Sequence, residues 1–272
     1  MRRSADEIAL IERFDRSYQR GQTDTMRAIE RAVCGCDYGG TSWTTREEAE
    51  LLSELLALGP GAALLDVGAG SGWPALYMAA VSGCDATLAD LPLEGIRIAS
   101  KRYSADQPAG RCGFAVADGS ALPFREASFD AICHSDVLCC LPAKGAVLRE
   151  CRRVIRPGGK MAFSVIYIAD GISSARGAAA IALGPPYIEA ECGYPEMLAM
   201  HGWEATGRID LSSEFAQSTE RLVNEWTKNE SRVKTLVGEQ DFSEYLTRKI
   251  NTLPLIHDGT IRRDLFSATP SP

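Results

Sequence analysis

The chain has 272 residues, 45% of them hydrophobic and 24% charged, a balance that supports one large folded domain carrying a cap. Its net charge of −7 argues against a nucleic-acid groove, which needs a basic face. No run approaches the roughly 18 uninterrupted apolar residues of a membrane span, and Met1–Glu7 turns acidic with no apolar targeting segment behind it, so the expectation is a cytoplasmic chain with no membrane partner.

Residues 4–30 carry a helical pattern with Ile8, Ile11 and Phe14 on one face, followed by a Gly-rich connector over 34–42. Thr45 ahead of Glu47-Glu48 starts another helix, whose apolar stripe runs to Leu58 before Gly59-Pro60-Gly61 ends it. Strands are then expected at about 62–67, 84–89, 112–117, 129–134 and 159–167, alternating with helices in the manner of a mostly parallel α/β sheet. A sixth strand is read at 205–211 and a seventh at 261–268, with Asp258-Gly259 as the turn into the last. Between them, 212–257 reads as two polar-faced helices around Gly238, far longer than a hairpin connection. The expected organisation is a helical cap over 1–45, a core over 46–211, a helical insertion or lid over 212–258, and a final strand and tail over 259–272.

The densest signal is Leu64-Leu65-Asp66-Val67-Gly68-Ala69-Gly70-Ser71-Gly72-Trp73. An apolar strand runs into a loop with glycine at every second position, and Asp66 stands at the strand's carboxyl end, where open α/β sheets place ligands. No G-K-[ST] follows, which argues against a phosphate-cradling loop. Trp73 stands where the dinucleotide fingerprint needs its last glycine. A second apolar run ends in Asp90, an acid placed to accept bonds from both hydroxyls of a ribose, and Leu91 offers an apolar face to a base. A third run ends in Asp118-Gly119, and Phe129-Asp130-Ala131-Ile132 and Arg156-Pro157-Gly158-Gly159 follow.

In this order and spacing, from Ala62 to about Ile168, the segments resemble the successive motifs of class I S-adenosylmethionine-dependent methyltransferases. The resemblance implies a Rossmann-like seven-stranded sheet with the last strand inserted antiparallel. It implies S-adenosylmethionine as cofactor, bound by Asp66, Gly68, Gly70, Gly72, Asp90, Leu91, Asp118 and Gly119, with Asp118 facing the adenine amino group. Tyr38-Gly39-Gly40 resembles the loop that closes over this cofactor in small-molecule members of the family, which adds Tyr38 to the set.

The activity implied is methyl transfer to a small-molecule acceptor at N or O, or at C. The catalytic candidates lie in His134-Ser135-Asp136, after the fourth strand: Asp136 to orient an amine or the cofactor, and His134 beside it. Cys140 stands where similar N-methyltransferases carry a histidine. Nine cysteines without a targeting segment read as reduced thiols, and neither Cys34-Gly35-Cys36 nor Cys139-Cys140 has the spacing of a zinc site, so no metal is expected. Two alternatives remain: an arsenite-type methyltransferase that uses cysteine thiolates, and a non-catalytic cofactor-binding module.

Overall fold

The computed structural model describes residues 3–271. The apolar runs form β1 (Ala63–Val67), β2 (Asp85–Asp90), β3 (Cys112–Val116), β4 (Phe129–Ser135), β5 (Ile155–Ile168), β6 (Trp203–Asp210) and β7 (Ile261–Pro270). They pair in the order β3-β2-β1-β4-β5-β7-β6, a 7-stranded sheet. The first five are parallel to one another, and β7 runs antiparallel to both β5 and β6. The turn before β7 forms as the sequence suggests, with the Asp258 carboxylate accepting from the Thr260 amide at 3.0 Å. Strand order reverses between β1 and β4, and that reversal opens a crevice at their carboxyl ends.

The helices, in chain order, are α1 (Ala5–Gly21), α2 (Asp24–Cys34), α3 (Arg46–Leu55), α4 (Ala75–Ser82), α5 (Leu93–Asp106), α6 (Lys144–Val154), α7 (Ser174–Leu183), α8 (Tyr194–Met200), α9 (Ser212–Lys228), α10 (Glu230–Val237) and α11 (Glu239–His257). Successive strand side chains point to opposite faces. Leu64, Ala131 and Cys133 therefore pack under α3, α4 and α5, while Leu65, Val67 and Ile132 pack under α6 and α8. Cys84, Cys133 and Cys151 are buried in these two layers as small hydrophobes, and all nine cysteines are free thiols.

The single helical pattern expected over 4–30 is two helices, because Thr23 caps the second: its Oγ1 accepts from the Met26 amide at 3.4 Å. The pair expected over 212–257 is three helices, with an added break at Asn229 between α9 and α10. Ile29 and Val33 of α2 share one apolar cluster with Trp226, Val233 and Phe242 of the insertion. Cap and insertion are thus joined by their own small core. No helix among the described residues is long and apolar enough to cross a membrane.

Candidate active site

The crevice between β1 and β4 deepens into a cavity whose empty space, open mouth included, is ≈ 980 Å³. Its floor is the glycine turn and the residues that follow β2 and β4: Gly68, Gly70, Asp90, Leu91, Ser135 and Asp136. Its roof is α1, through Leu10, Ile11, Phe14 and Tyr18, together with the 40–43 loop.

The turn is built on its own strand ends. Gly68 and Ala69 donate their amides to the Ala89 carbonyl at 2.7 and 3.2 Å, which ties the turn to β2. Gly68 has φ +75°, and a Cβ there would lie 2.4 Å from Val137 Cγ2, so the site admits no side chain. Asp90 is almost fully buried and receives two strong backbone bonds, from the Gly70 and Leu91 amides, each at 2.7 Å. The Tyr18 hydroxyl donates a longer one at 3.5 Å. Burial pushes the Asp90 carboxyl up to about 6 despite these donors. Ser71 and Ser135 both line the cavity, and each has a buried hydroxyl without a protein partner. In an interior where buried polar atoms are nearly always bonded, such hydroxyls mark a place for ligand or water.

Not every residue expected at the cofactor lies on the cavity wall. Asp66 sits below the turn, 1% exposed, its Oδ2 buried without a hydrogen-bond partner, and burial raises its carboxyl well above the usual range. It supports the turn from beneath. Gly72 faces Leu76 and Ala99, and Gly119 faces Val67. Asp118 is engaged by the Arg3 guanidinium at 3.1 Å and by the Ser120 amide at 2.9 Å. The ring of Tyr38 is turned away from the cavity, packed 5.2 Å from Trp73 with the Arg102 guanidinium 3.7 Å above it. The loop that carries it does reach the cavity, through Gly40 and Thr41, and Glu30 positions that loop by accepting from the Gly39 and Gly40 amides.

The two catalytic candidates part company. His134 lies on the α6/α8 face of the sheet, fully buried and stacked 4.5 Å from Phe163, and burial lowers its imidazole to about 3. Neither ring nitrogen has a partner, so it is a neutral core side chain remote from the cavity wall. Asp136 does reach the cavity, with φ +56°, but its carboxylate is bonded through both oxygens to Arg263 Nε at 3.0 Å. Arg263 is 0% exposed and also donates to Glu48 at 2.7 and 2.9 Å and to Ser164 at 3.2 Å. Burial works to lower the Arg263 pKa, and the two carboxylates reverse that and raise it. Asp136 is therefore one arm of a buried Glu48–Arg263–Asp136 triad. The triad's signal in the sequence was Arg262-Arg263-Asp264, three charges at the head of an otherwise apolar strand.

Cys139 and Cys140 line the cavity side by side; the Cys139 thiol donates to the Asp136 carbonyl at 3.1 Å, and the neighbouring Cys140 thiol together with burial raises it well above its ordinary value. Among the described residues no group of three or more His, Cys, Asp or Glu side chains is placed to hold a metal ion, and no third cysteine joins this pair.

The sheet order, the glycine turn and the acid after β2 define a class I methyltransferase fold. Residues 65–163 match the family model described as "Methyltransferase domain". Methyltransferase GfsG of Streptomyces halstedii is 34% identical over 44% of this chain and 43% of its own length. The 27-O-demethylrifamycin SV methyltransferase of Amycolatopsis mediterranei is 37% identical over 43% of this chain and 45% of its own. The chain thus spans about half the length of these curated relatives. A Haemonchus contortus phosphoethanolamine N-methyltransferase 2, solved with phosphomonomethylethanolamine and S-adenosylhomocysteine, superposes with TM-score 0.77 at 17% identity, over 96% of this chain and 60% of that one.

Proposed function

We propose that this protein binds S-adenosylmethionine in the β1/β4 cavity and transfers its methyl group to a small-molecule acceptor at N or O, or at C. The observation that carries the reading is the juxtaposition of the Gly68–Ser71 turn with the backbone-pinned Asp90 carboxylate at the point where strand order reverses. The cofactor fits what the wall offers. Asp90 has acceptor capacity for ribose hydroxyls, in competition with the long Tyr18 bond. Leu91 gives an apolar face beside it, and the free Ser71 and Ser135 hydroxyls await polar partners. Asp66 and Gly72 shape the turn from behind, and Asp118 takes an adenine amino group by exchanging its exposed Arg3 partner.

When bound, the cofactor supplies an electrophilic methyl group with its own leaving group. The chain's part is then to align an acceptor and exclude water. Leu10, Ile11 and Phe14 of α1 roof the cavity, and we assign the cap and the α9–α11 insertion the role of a lid. Asp136, fixed by Arg263, positions groups at the cavity floor without serving as a free base.

Two experiments test this reading. Incubation with methyl-labelled S-adenosylmethionine and a panel of phenols, carboxylic acids and amines should give labelled product and S-adenosylhomocysteine. Binding without transfer to any member would leave only the non-catalytic module. The second is the pH dependence of S-adenosylhomocysteine binding. Ribose hydroxyls need the ionised carboxylate, and the free protein's Asp90 titrates at about 6. Affinity should therefore be level above pH about 7 and fall by up to about tenfold per pH unit below 6. Asp90→Asn should remove that fall, and an unchanged profile in the variant would detach Asp90 from the ribose.

A further inference from the structure

The part of the cavity left for an acceptor offers no unanswered charge. Among the described residues the cavity wall carries two carboxylates, Asp90 and Asp136, and no Lys, Arg or His. Asp90 is turned to the glycine turn, where it accepts from the Gly70 amide. Asp136 has both oxygens 3.0 Å from Arg263 Nε, so its charge is answered inside the protein. Beyond this floor the wall is apolar and comes from five separate segments. It is formed by Phe14 of α1, Trp43 ahead of α3, Leu141 ahead of α6, Ile166 of β5 and Pro185 after α7.

Trp43 could serve a cationic acceptor only through its π-face, and that ring already has a cation. The Lys249 ammonium of α11, which is not part of the wall, stands 4.5 Å from the ring centre. The Phe215 ring packs against Trp43 at 5.0 Å and 78°. A ring that already answers one cation gains little from a second, and the two cations would repel each other. The floor does offer a neutral polar group. Ser135 lines it next to Asp136, and its hydroxyl is buried without a partner. Ser71, the other wall hydroxyl in this condition, belongs to the glycine turn.

We infer that the acceptor is an uncharged molecule with an apolar, ring-bearing body and a hydroxyl or carbonyl that bonds to Ser135, and that ammonium, carboxylate and phosphate acceptors are refused. A charged group brought against Phe14, Ile166 and Pro185 would lose water and gain no counter-charge from the protein. A neutral ring gains by leaving water there, and its polar handle completes the hydroxyl that the fold leaves unbonded. The space of ≈ 980 Å³, open mouth included, stands at the upper end of the roughly 300–1,000 Å³ of single-ligand pockets, which leaves room for a ring beside the cofactor. The inference rests on the reading proposed above and specifies the acceptor's chemistry.

The test needs no turnover. Naphthalene, 2-naphthol, 2-naphthoate and 2-naphthylmethylammonium share one ring body and differ in the handle. Each is titrated calorimetrically at pH 7.5 into protein saturated with S-adenosylhomocysteine, whose neutral sulfur leaves the wall's own preference visible. The naphthol is expected to bind at least about tenfold more tightly than either charged analogue. Ser135→Ala should weaken the naphthol by about three- to tenfold and leave naphthalene unchanged. Equal or tighter binding of the ammonium or the carboxylate, or no binding of the naphthol, would overturn the inference. So would a Ser135→Ala variant that weakens S-adenosylhomocysteine and keeps the wild-type ratio of naphthol to naphthalene affinity, since the hydroxyl would then serve the cofactor. If the naphthol binds selectively while S-adenosylhomocysteine does not bind at all, the cofactor reading fails and the uncharged pocket stands.

Discussion

Replacing Arg263 with Met is expected to destabilise the fold by roughly 3–5 kcal/mol, because it leaves two buried carboxylates without their shared partner. Glu48 and Asp136 are both bound to that one guanidinium, and burial already raises the Glu48 carboxyl. Without Arg263 the folded-state pKa of Glu48 rises further above its unfolded value. A group raised in this way favours the folded state below its unfolded pKa and loses that contribution as pH rises. Urea unfolding of Arg263→Met should therefore show a smaller deficit near pH 5 than at pH 8. Asp136→Asn is the milder counterpart. Asn tolerates the left-handed backbone at this position (φ +56°), so the change isolates the charge. Losing one charged hydrogen-bond partner should cost about 1.5–3 kcal/mol. A wild-type melting temperature in both variants would mean that the triad contributes nothing to the fold.

Gly68→Val should abolish S-adenosylhomocysteine binding. The residue has φ +75°, and its new Cβ would meet Val137, which is itself a cavity wall, at 2.4 Å. Relief comes only by moving the turn away from Ala89 or pushing Val137 into the cavity, and either change disrupts the ligand's approach. The strained backbone should also cost of order 1–3 kcal/mol of stability. Gly68→Ala, with the same φ problem and a smaller side chain, keeps the result interpretable if the valine variant folds poorly. Calorimetry should show a large loss of affinity in a protein that still unfolds cooperatively. Binding at wild-type strength in the alanine variant would place the ligand away from this turn.

The parts of the molecule that were legible in the sequence are those whose information is local. The apolar run into Gly68–Gly72, the acid after β2 and the alternation of strands with helices are each contained in a few consecutive residues. The seventh strand was legible as an apolar run behind the turn at Asp258-Gly259, and its antiparallel insertion only through the family resemblance. Side-chain destination was not local. His134 and Asp136 share one strand end, yet the β4 pairing with β5 places His134 beside Phe163 on the covered face, while Asp136 comes after the pleat has ended. Asp136 and Glu48 meet Arg263 from 127 and 215 residues away, a distance over which periodicity carries no information. The ring of Tyr38 is drawn off by Trp73 and Arg102, while Gly40 and Thr41 of the same loop line the cavity.

The most direct test of the central claim is a calorimetric titration of S-adenosylhomocysteine into the wild-type protein at pH 7.5, with Asp90→Ala and Gly68→Val measured beside it. The account predicts one equivalent bound by the wild type. It predicts weakening by roughly 1.5–3 kcal/mol when the Asp90 acceptor is removed, and no detectable heat for Gly68→Val. A folded wild-type protein that takes up no S-adenosylhomocysteine, or binding that survives both substitutions unchanged, would contradict it.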